Sequence, residues 1–331
     1  MLLSPFFRNL RLHWPDAEIS LLVEKNYAAV ASLIPDVTRT LILPRRAREI
    51  SGWLKLLRAL RKSHFTHVFD LDNREKTAVF TRLTGAQHRI ALLHEAPPRL
   101  PRCYTQIVLD PPAEHERRTT SEYYLQALAG AQVPVVTSEV KLALRDDDRA
   151  AVAGLIPDGG PRVLVHPGSR SAYRVWPVEN FAAVCDRIQD ELGAKVTLVG
   201  GSAEKTLIDA IKSRMRTAPV IVDQALSIPR FAAFVANFDV MLCHDSGPMH
   251  VAAGVHTSVV ALFGSQNAAM WRPSGDHHTV LQAALPCGAA CVAPPVCVKQ
   301  DSYHNYCVRR ISVDEVFAAL RDRLARPAPR S

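Results

Sequence analysis

The chain has 331 residues, 48% of them apolar, with 40 Lys and Arg against 32 Asp and Glu for a formal net charge of +8. That length and apolar share allow two domains of ordinary size with real cores. No uninterrupted apolar run reaches membrane-span length, and the start, MLLSPFFRNLRLHWPD, lacks the basic region and cleavage site of a signal peptide, so a cytoplasmic protein is expected.

In chain order, residues 17–23 read as a strand, 26–34 as a short helix, Arg39 to Leu43 as a strand and Ile50 to Arg61 as a helix. Thr66 to Leu71 is a strand, Glu75 to Leu83 a helix, Gln106 to Leu109 a strand, and Glu114 to Leu128 one helix stopped at Gly130. Residues 131–161, with RDDDR and IPDGGP, form the best domain edge, dividing a first domain of 1–150 from a second of 151–331. The second series runs strand Arg162 to His166, helix Val178 to Leu192, strand Ala194 to Val199, helix Ala203 to Met215 and strand Val220 to Val222. It continues with helix Ile228 to Asn237, strand Asp239 to Cys243, a helix beginning near Met249, a further strand ending at Gly264, and a closing helix from Ser312 to Leu324. Short apolar strands alternating with amphipathic helices predict an α/β fold of parallel sheets covered by helices.

Charge is unevenly placed. Residues 1–90 hold 15 Lys and Arg against 8 Asp and Glu, densest at Arg45, Arg46, Arg48, Lys55, Arg58, Arg61 and Lys62. Such a face suits an anionic membrane surface or a phosphorylated glycolipid, or is an ordinary solvated surface. The chain shows no nucleic-acid-binding module, so no nucleic-acid partner is expected. Of the seven cysteines, Cys287, Cys291, Cys297 and Cys307 crowd near the C-terminus. They lack the tight CxxC pair usual in structural zinc sites, which leaves a metal site or a locally packed loop as alternatives.

Three polar loops follow strands in the second half. His166-Pro167-Gly168-Ser169-Arg170 leads on to Arg174-Val175-Trp176-Pro177. Gly168 and Ser169 can offer backbone and hydroxyl donors there, and Arg170 or Arg174 can neutralise phosphate. Gly200-Gly201-Ser202-Ala203-Glu204 is glycine-rich but is neither GxGxxG nor a Walker loop; Glu204 suits a ribose hydroxyl or simply a helix start. Asp245-Ser246-Gly247-Pro248 turns from a strand into a helix carrying His250, and its free amides suit an anion. An ordinary capped turn explains each loop singly. Together they favour a nucleotide-diphosphate site.

These residues, taken in order, resemble glycosyltransferase family 9, the heptosyltransferases of lipopolysaccharide core synthesis. HPGSR with RVWP, GGSAE, HDSGPMHVAAG and LFG carry the likeness in the second half, and LLSPFFRNLRLHWPDAEISLLV and DLDNREKTAVFTRLTGA in the first. The resemblance implies a GT-B fold: two Rossmann-like domains facing across a cleft, acceptor in the first and donor in the second. It further implies an inverting transfer from ADP-L-glycero-D-manno-heptose to a lipopolysaccharide core acceptor, without a metal, at the cytoplasmic face of the inner membrane. Gly168, Ser169 and Arg174 would sit by the donor phosphates, Glu204 by the ribose, and Asp245, Ser246, Gly247 and His250 by the pyrophosphate and sugar. Asn73 and Arg74 resemble an acceptor-side polar pair. The family usually opens with a strand and a Gly-Asp turn, whereas this sequence begins at the following helix. The resemblance therefore places the usual general-base aspartate upstream of Met1, leaves the catalytic residue unknown, and predicts unpaired strand edges in the first domain. The alternatives are a weak or inactive nucleotide-sugar-binding protein, or a family member using another sugar. An epimerase or dehydrogenase would want GxGxxG and YxxxK, and the chain has neither.

Overall fold

The structure, a computed structural model, describes residues 1–44, 50–94, 98–170, 174–283 and 307–326. The chain forms two compact units, residues 1–141 and 142–331. The division falls after Lys141, not after residue 150, because Leu142 already donates its amide to Gly254 O (2.7 Å) within the second unit. The helix Asp146–Val152, in the stretch expected to be the domain edge, packs against the helix Ile228–Val235 of the same unit.

The first unit holds β1 (Ser20–Glu24), β2 (Arg39–Leu43), β3 (His67–Asp70), β4 (His88–Leu93) and β5 (Gln106–Leu109). All pair in parallel, but in two sheets: β1 with β2, and β3-β4-β5. Among the described residues the second edges of β1 and β3 pair with no strand. Both sheets feed one core, where Ile19, Leu21, Phe69 and Leu92 meet Phe6, Phe7 and Leu10 of the helix Ser4–His13. The single helix expected over 114–128 is broken into Pro112–His115, Thr120–Leu125 and a 3-10 turn, Gln126–Ala131. Thr119 starts the middle piece afresh: its hydroxyl accepts from Glu122 N (3.3 Å), and Glu122 accepts from Thr119 N (2.8 Å).

The second unit is one six-stranded parallel sheet, ordered β11-β10-β9-β6-β7-β8. Its strands are β6 (Arg162–His166), β7 (Lys195–Val199), β8 (Val220–Val222), β9 (Val240–His244), β10 (Ser258–Phe263) and β11 (His278–Gln282). β9 and β10 are buried throughout, as the continuous apolar runs Val240 to Cys243 and Val259 to Phe263 require of strands covered on both faces. Phe181 and Ile188 of the helix Val178–Leu192, with Val316 and Leu320 of the helix Val313–Ala325, join Val165, Leu198 and Leu262 in the core. Each such buried side chain contributes about 1.5–3 kcal/mol relative to exposure. Ser312 caps the last helix as expected, its hydroxyl accepting from Glu315 N and its amide donating to the Glu315 carboxylate.

This strand order decides where a ligand can sit. From β6 the chain steps outward to β7 and β8, then returns to the other side of β6 and continues through β9, β10 and β11. The direction of winding reverses between β6 and β9, and open parallel sheets bind ligands at the carboxyl ends of the strands flanking such a reversal. Among the described residues, no helix is long and apolar enough to cross a membrane.

Candidate donor site at the strand crossover

Two of the three polar loops leave the strands that flank the crossover, β6 and β9, and the third leaves the neighbouring β7. The close packing of the β6 and β7 loops depends on glycine. A Cβ on Gly168 would lie 2.5 Å from Glu204 Cγ, and one on Gly200 would lie 2.6 Å from Glu204 Cβ. Glu204 thus occupies space that only two glycines leave open, and its Oε2 accepts from Gly201 N (2.9 Å). The structure therefore brings Gly168 and Glu204 together, as the sequence predicts for two parts of one site.

Asp245 follows β9 with its side chain only 2% exposed, and its Oδ2 lies 3.6 Å from Arg174 Nη1. Among the described residues, neither carboxylate oxygen has a hydrogen-bond partner. Burial pushes its pKa up to about 6 even though Arg174 pulls the other way. A buried carboxylate facing a guanidinium at this distance, with unfilled acceptor positions, costs stability unless a ligand supplies donors. Gln266, just after β10, adds a third member: with its amide turned to satisfy both groups, its Oε1 accepts from Arg174 Nη1 (3.3 Å) and Nη2 (2.5 Å).

The helix Gly247–Gly254 starts beside Asp245. Ser246 stands at its N-cap in extended conformation but makes no side-chain cap; its hydroxyl donates instead to His244 O (3.3 Å). The helix N-terminus thus keeps its positive end beside the crossover. Gly247 is exposed, whereas His250 is buried and held neutral, its pKa lowered by burial to about 4. Ser169 is half-buried and Arg170 exposed.

In the first unit, Asn73 and Arg74 follow β3. Asn73 adopts φ 56°, and its amide donates to Leu92 O. Asp70 Oδ1 accepts from Asp72 N and Asn73 N, and Oδ2 accepts from Tyr104 OH (2.8 Å). Asn73 is therefore tied to the strand ends, with its Oδ1 buried and without a hydrogen-bond partner among the described residues, whereas Arg74 is exposed beside Asp72 (3.4 Å). Cys287, Cys291 and Cys297 lie outside the described residues, and of Cys307 only the backbone is described, in a 3-10 turn.

The sequence pattern of glycosyltransferase family 9 (heptosyltransferase) matches residues 53–299. The chain belongs to this family. As a family 9 chain, it is 23% identical over 289 residues to lipopolysaccharide heptosyltransferase 3 of Escherichia coli, covering 82% of each. A crystal structure of the family 9 glycosyl transferase from Veillonella parvula superposes with a TM-score of 0.81 at 21% identity, covering 98% of this chain and 93% of that one. The E. coli ADP-heptose lipopolysaccharide heptosyltransferase II superposes with a TM-score of 0.75 at 18% identity, covering 98% and 94%. This family 9 chain thus has the α/β, GT-B fold that its sequence predicts.

Sequence reasoning missed two contributors to the site. Gln266 sits in an unremarkable SQN stretch, and only the placement of β10 beside β9 brings it to Arg174. His244 falls one residue past the strand read as Asp239 to Cys243, yet it ends β9, is fully buried and is bonded to two separate parts of the β6 loop.

Proposed function

We propose that this chain transfers heptose from ADP-L-glycero-D-manno-heptose to a lipopolysaccharide core acceptor with inversion at the anomeric carbon, the donor lying at the crossover of the second unit. The observation that carries the reading is the meeting of Arg174, Gln266 and the unsatisfied Asp245 carboxylate beside a helix N-terminus, in a chain of the heptosyltransferase family. The relatives' names supply heptose and lipopolysaccharide as substrate classes.

Sugar transfer moves negative charge onto the departing nucleoside diphosphate. Arg174, aided by the Gly168 and Ser169 turn and the first amides of the helix Gly247–Gly254, would stabilise that charge as it forms. Asp245 would accept hydrogen bonds from donor sugar hydroxyls, and Glu204 from the ribose. Asn73 and Arg74 would lie on the acceptor side. No residue of this chain is assigned as the base.

The acceptor is a membrane glycolipid, and the first unit carries a surface suited to it. On the helix Ile50–Lys62 the exposed face carries Leu54, Lys55, Arg58, Arg61 and Lys62, and the helix contains no acidic residue. Such a face would hold the protein on the anionic cytoplasmic leaflet, roughly 1 kcal/mol per basic residue. Incubation with ADP-heptose and a heptose-deficient lipopolysaccharide tests the reading. ADP release with an acceptor mass gain of one heptose supports it; saturable donor binding without either product contradicts it.

A further inference from the structure

His244, the last residue of β9, is fully buried and sits directly before Asp245. Its Nε2 lies 2.9 Å from Trp176 N, and its Nδ1 lies 3.3 Å from Gly168 O. A backbone amide only donates and a carbonyl only accepts. The two partners therefore fix a neutral ring with its proton on Nδ1, which donates to Gly168 O, while Nε2 accepts from Trp176 N–H. One imidazole thus ties two points of the β6 loop to the strand that Asp245 follows.

Those two points flank the loop's phosphate-facing groups. Gly168 begins the turn bearing Ser169 and Arg170. Trp176 lies two residues past Arg174 and is itself immobilised: it is fully buried, its indole Nε1 donates to Ile311 O (2.9 Å), and its ring meets Phe181 edge-on (5.0 Å). Phe181 also packs edge-on against the His244 ring (5.7 Å). The histidine therefore has its ring plane set by packing and both nitrogens committed to backbone groups. Solvent does not reach it, and it offers no group to a ligand.

We propose that His244 is a positioning residue of the donor site: its ring sets the distance between the Gly168 turn and the Trp176 anchor, and so holds Arg174 opposite Asp245. The inference rests on the reading of this crossover as the diphosphate site. A side chain doing this work must accept at one position and donate at another. His244→Gln keeps an acceptor near the Nε2 position, His244→Asn keeps a donor near the Nδ1 position, and His244→Leu keeps neither.

The test measures ADP and adenosine affinity by calorimetry in the wild type, His244→Gln, His244→Asn, His244→Leu, Arg174→Ala and the His244→Leu/Arg174→Ala pair. Adenosine carries no phosphate for Arg174 to meet. ADP affinity is expected to fall about tenfold or more in His244→Leu, less in His244→Gln or His244→Asn, since small misplacements of binding groups are costly. Adenosine affinity is expected to change by less than about twofold, and His244→Leu is expected to add nothing once Arg174 is gone. If His244→Leu does not fold, His244→Gln and His244→Asn, each also paired with Arg174→Ala, give the same comparison. Equal losses for ADP and adenosine, or equal losses with and without Arg174, would show a purely structural role and overturn the proposal. Wild-type failure to bind ADP, or ADP binding indifferent to Arg174→Ala, overturns the donor reading and the proposal with it.

Discussion

On the proposed donor reading, Asp245 sets stability against binding, and Asp245→Asn exposes the conflict. In the folded chain its carboxyl is raised from 3.8 to about 6, mainly by burial. A raised carboxyl pKa means that the folded state binds the proton more tightly than the unfolded state. The cost of the buried charge is fully present above about pH 6 and is relieved as pH falls toward 3.8. A shift of roughly two units corresponds to about 3 kcal/mol at pH 8. The side chain is 2% exposed, so solvent screening removes little of it. The Asn amide remains buried and needs partners of its own, which returns ~1–2 kcal/mol of that gain. Asp245→Asn is therefore expected to stabilise the protein by ~1–2 kcal/mol at pH 8, or about 2–8 °C in melting midpoint. The same substitution should weaken binding of an ADP-sugar by ~10–100-fold, the scale of a charge-assisted hydrogen bond. An ADP-sugar suits this assay because it lacks the terminal phosphate whose own ionisation would obscure the pH dependence. Melting curves at pH 8, 7, 6, 5 and 4 test the reasoning. The gain must shrink below pH 6, cross zero near pH 5 and become a loss of ~0.5–1.5 kcal/mol by pH 4; a lower melting point at pH 8, or a gain independent of pH, refutes it.

Other outcomes follow from the same geometry. Gly168→Ala drives a methyl into Glu204 and is expected to cost ~1–3 kcal/mol; adding Glu204→Ala should recover the stability but not the donor affinity, and a pair no more stable than Gly168→Ala alone would contradict this. His244 and His250 are held neutral with pKa values lowered from 6.5 to about 4, so the unfolded chain takes up protons that the folded chain refuses. Their contribution is complete above about pH 6.5 and is lost as pH falls toward 4, roughly 2 kcal/mol each by pH 5, partly offset by relief at Asp245. Urea midpoints should therefore fall between pH 7 and pH 5, and a flat profile would count against the buried neutral pair. Replacing Lys55, Arg58 and Arg61 with Glu should abolish flotation with anionic vesicles, by at least ~100-fold in partitioning, while melting is unchanged; unchanged flotation would remove the helix Ile50–Lys62 from the membrane contact.

The fold was legible where periodicity and punctuation agreed. β2, β6 and β8, together with the helices Glu75–Leu83 and Val178–Leu192, lie where the apolar patterns place them. β4 was missed because HRIALL opens on two polar residues and resembles a loop until β3 and β5 flank it. The single helix expected over 114–128 failed at Thr119, whose capping box with Glu122 was a readable signal that the apolar count outweighed. Within the candidate site, Gly168, Glu204 and Asp245 were readable as candidates because each stands in a polar loop after an apolar strand. Gln266 and His244 were not, since their roles arise from strand order: β9 inserts between β10 and β6, a long-range arrangement that no local pattern encodes. Asn73, which the family resemblance puts with Arg74 on the acceptor side, also donates its amide to Leu92 O and adopts a left-handed backbone in the turn after β3, ties that arise from β4 lying beside β3 and that no local pattern encodes.

The most direct test of the account is calorimetric titration of ADP-heptose into the wild-type protein and Arg174→Ala. The account predicts saturable binding by the wild type, weakened ~10–100-fold by loss of the guanidinium. Undiminished binding by Arg174→Ala, or no binding by the folded wild type, would contradict a donor diphosphate held at the crossover between β6 and β9.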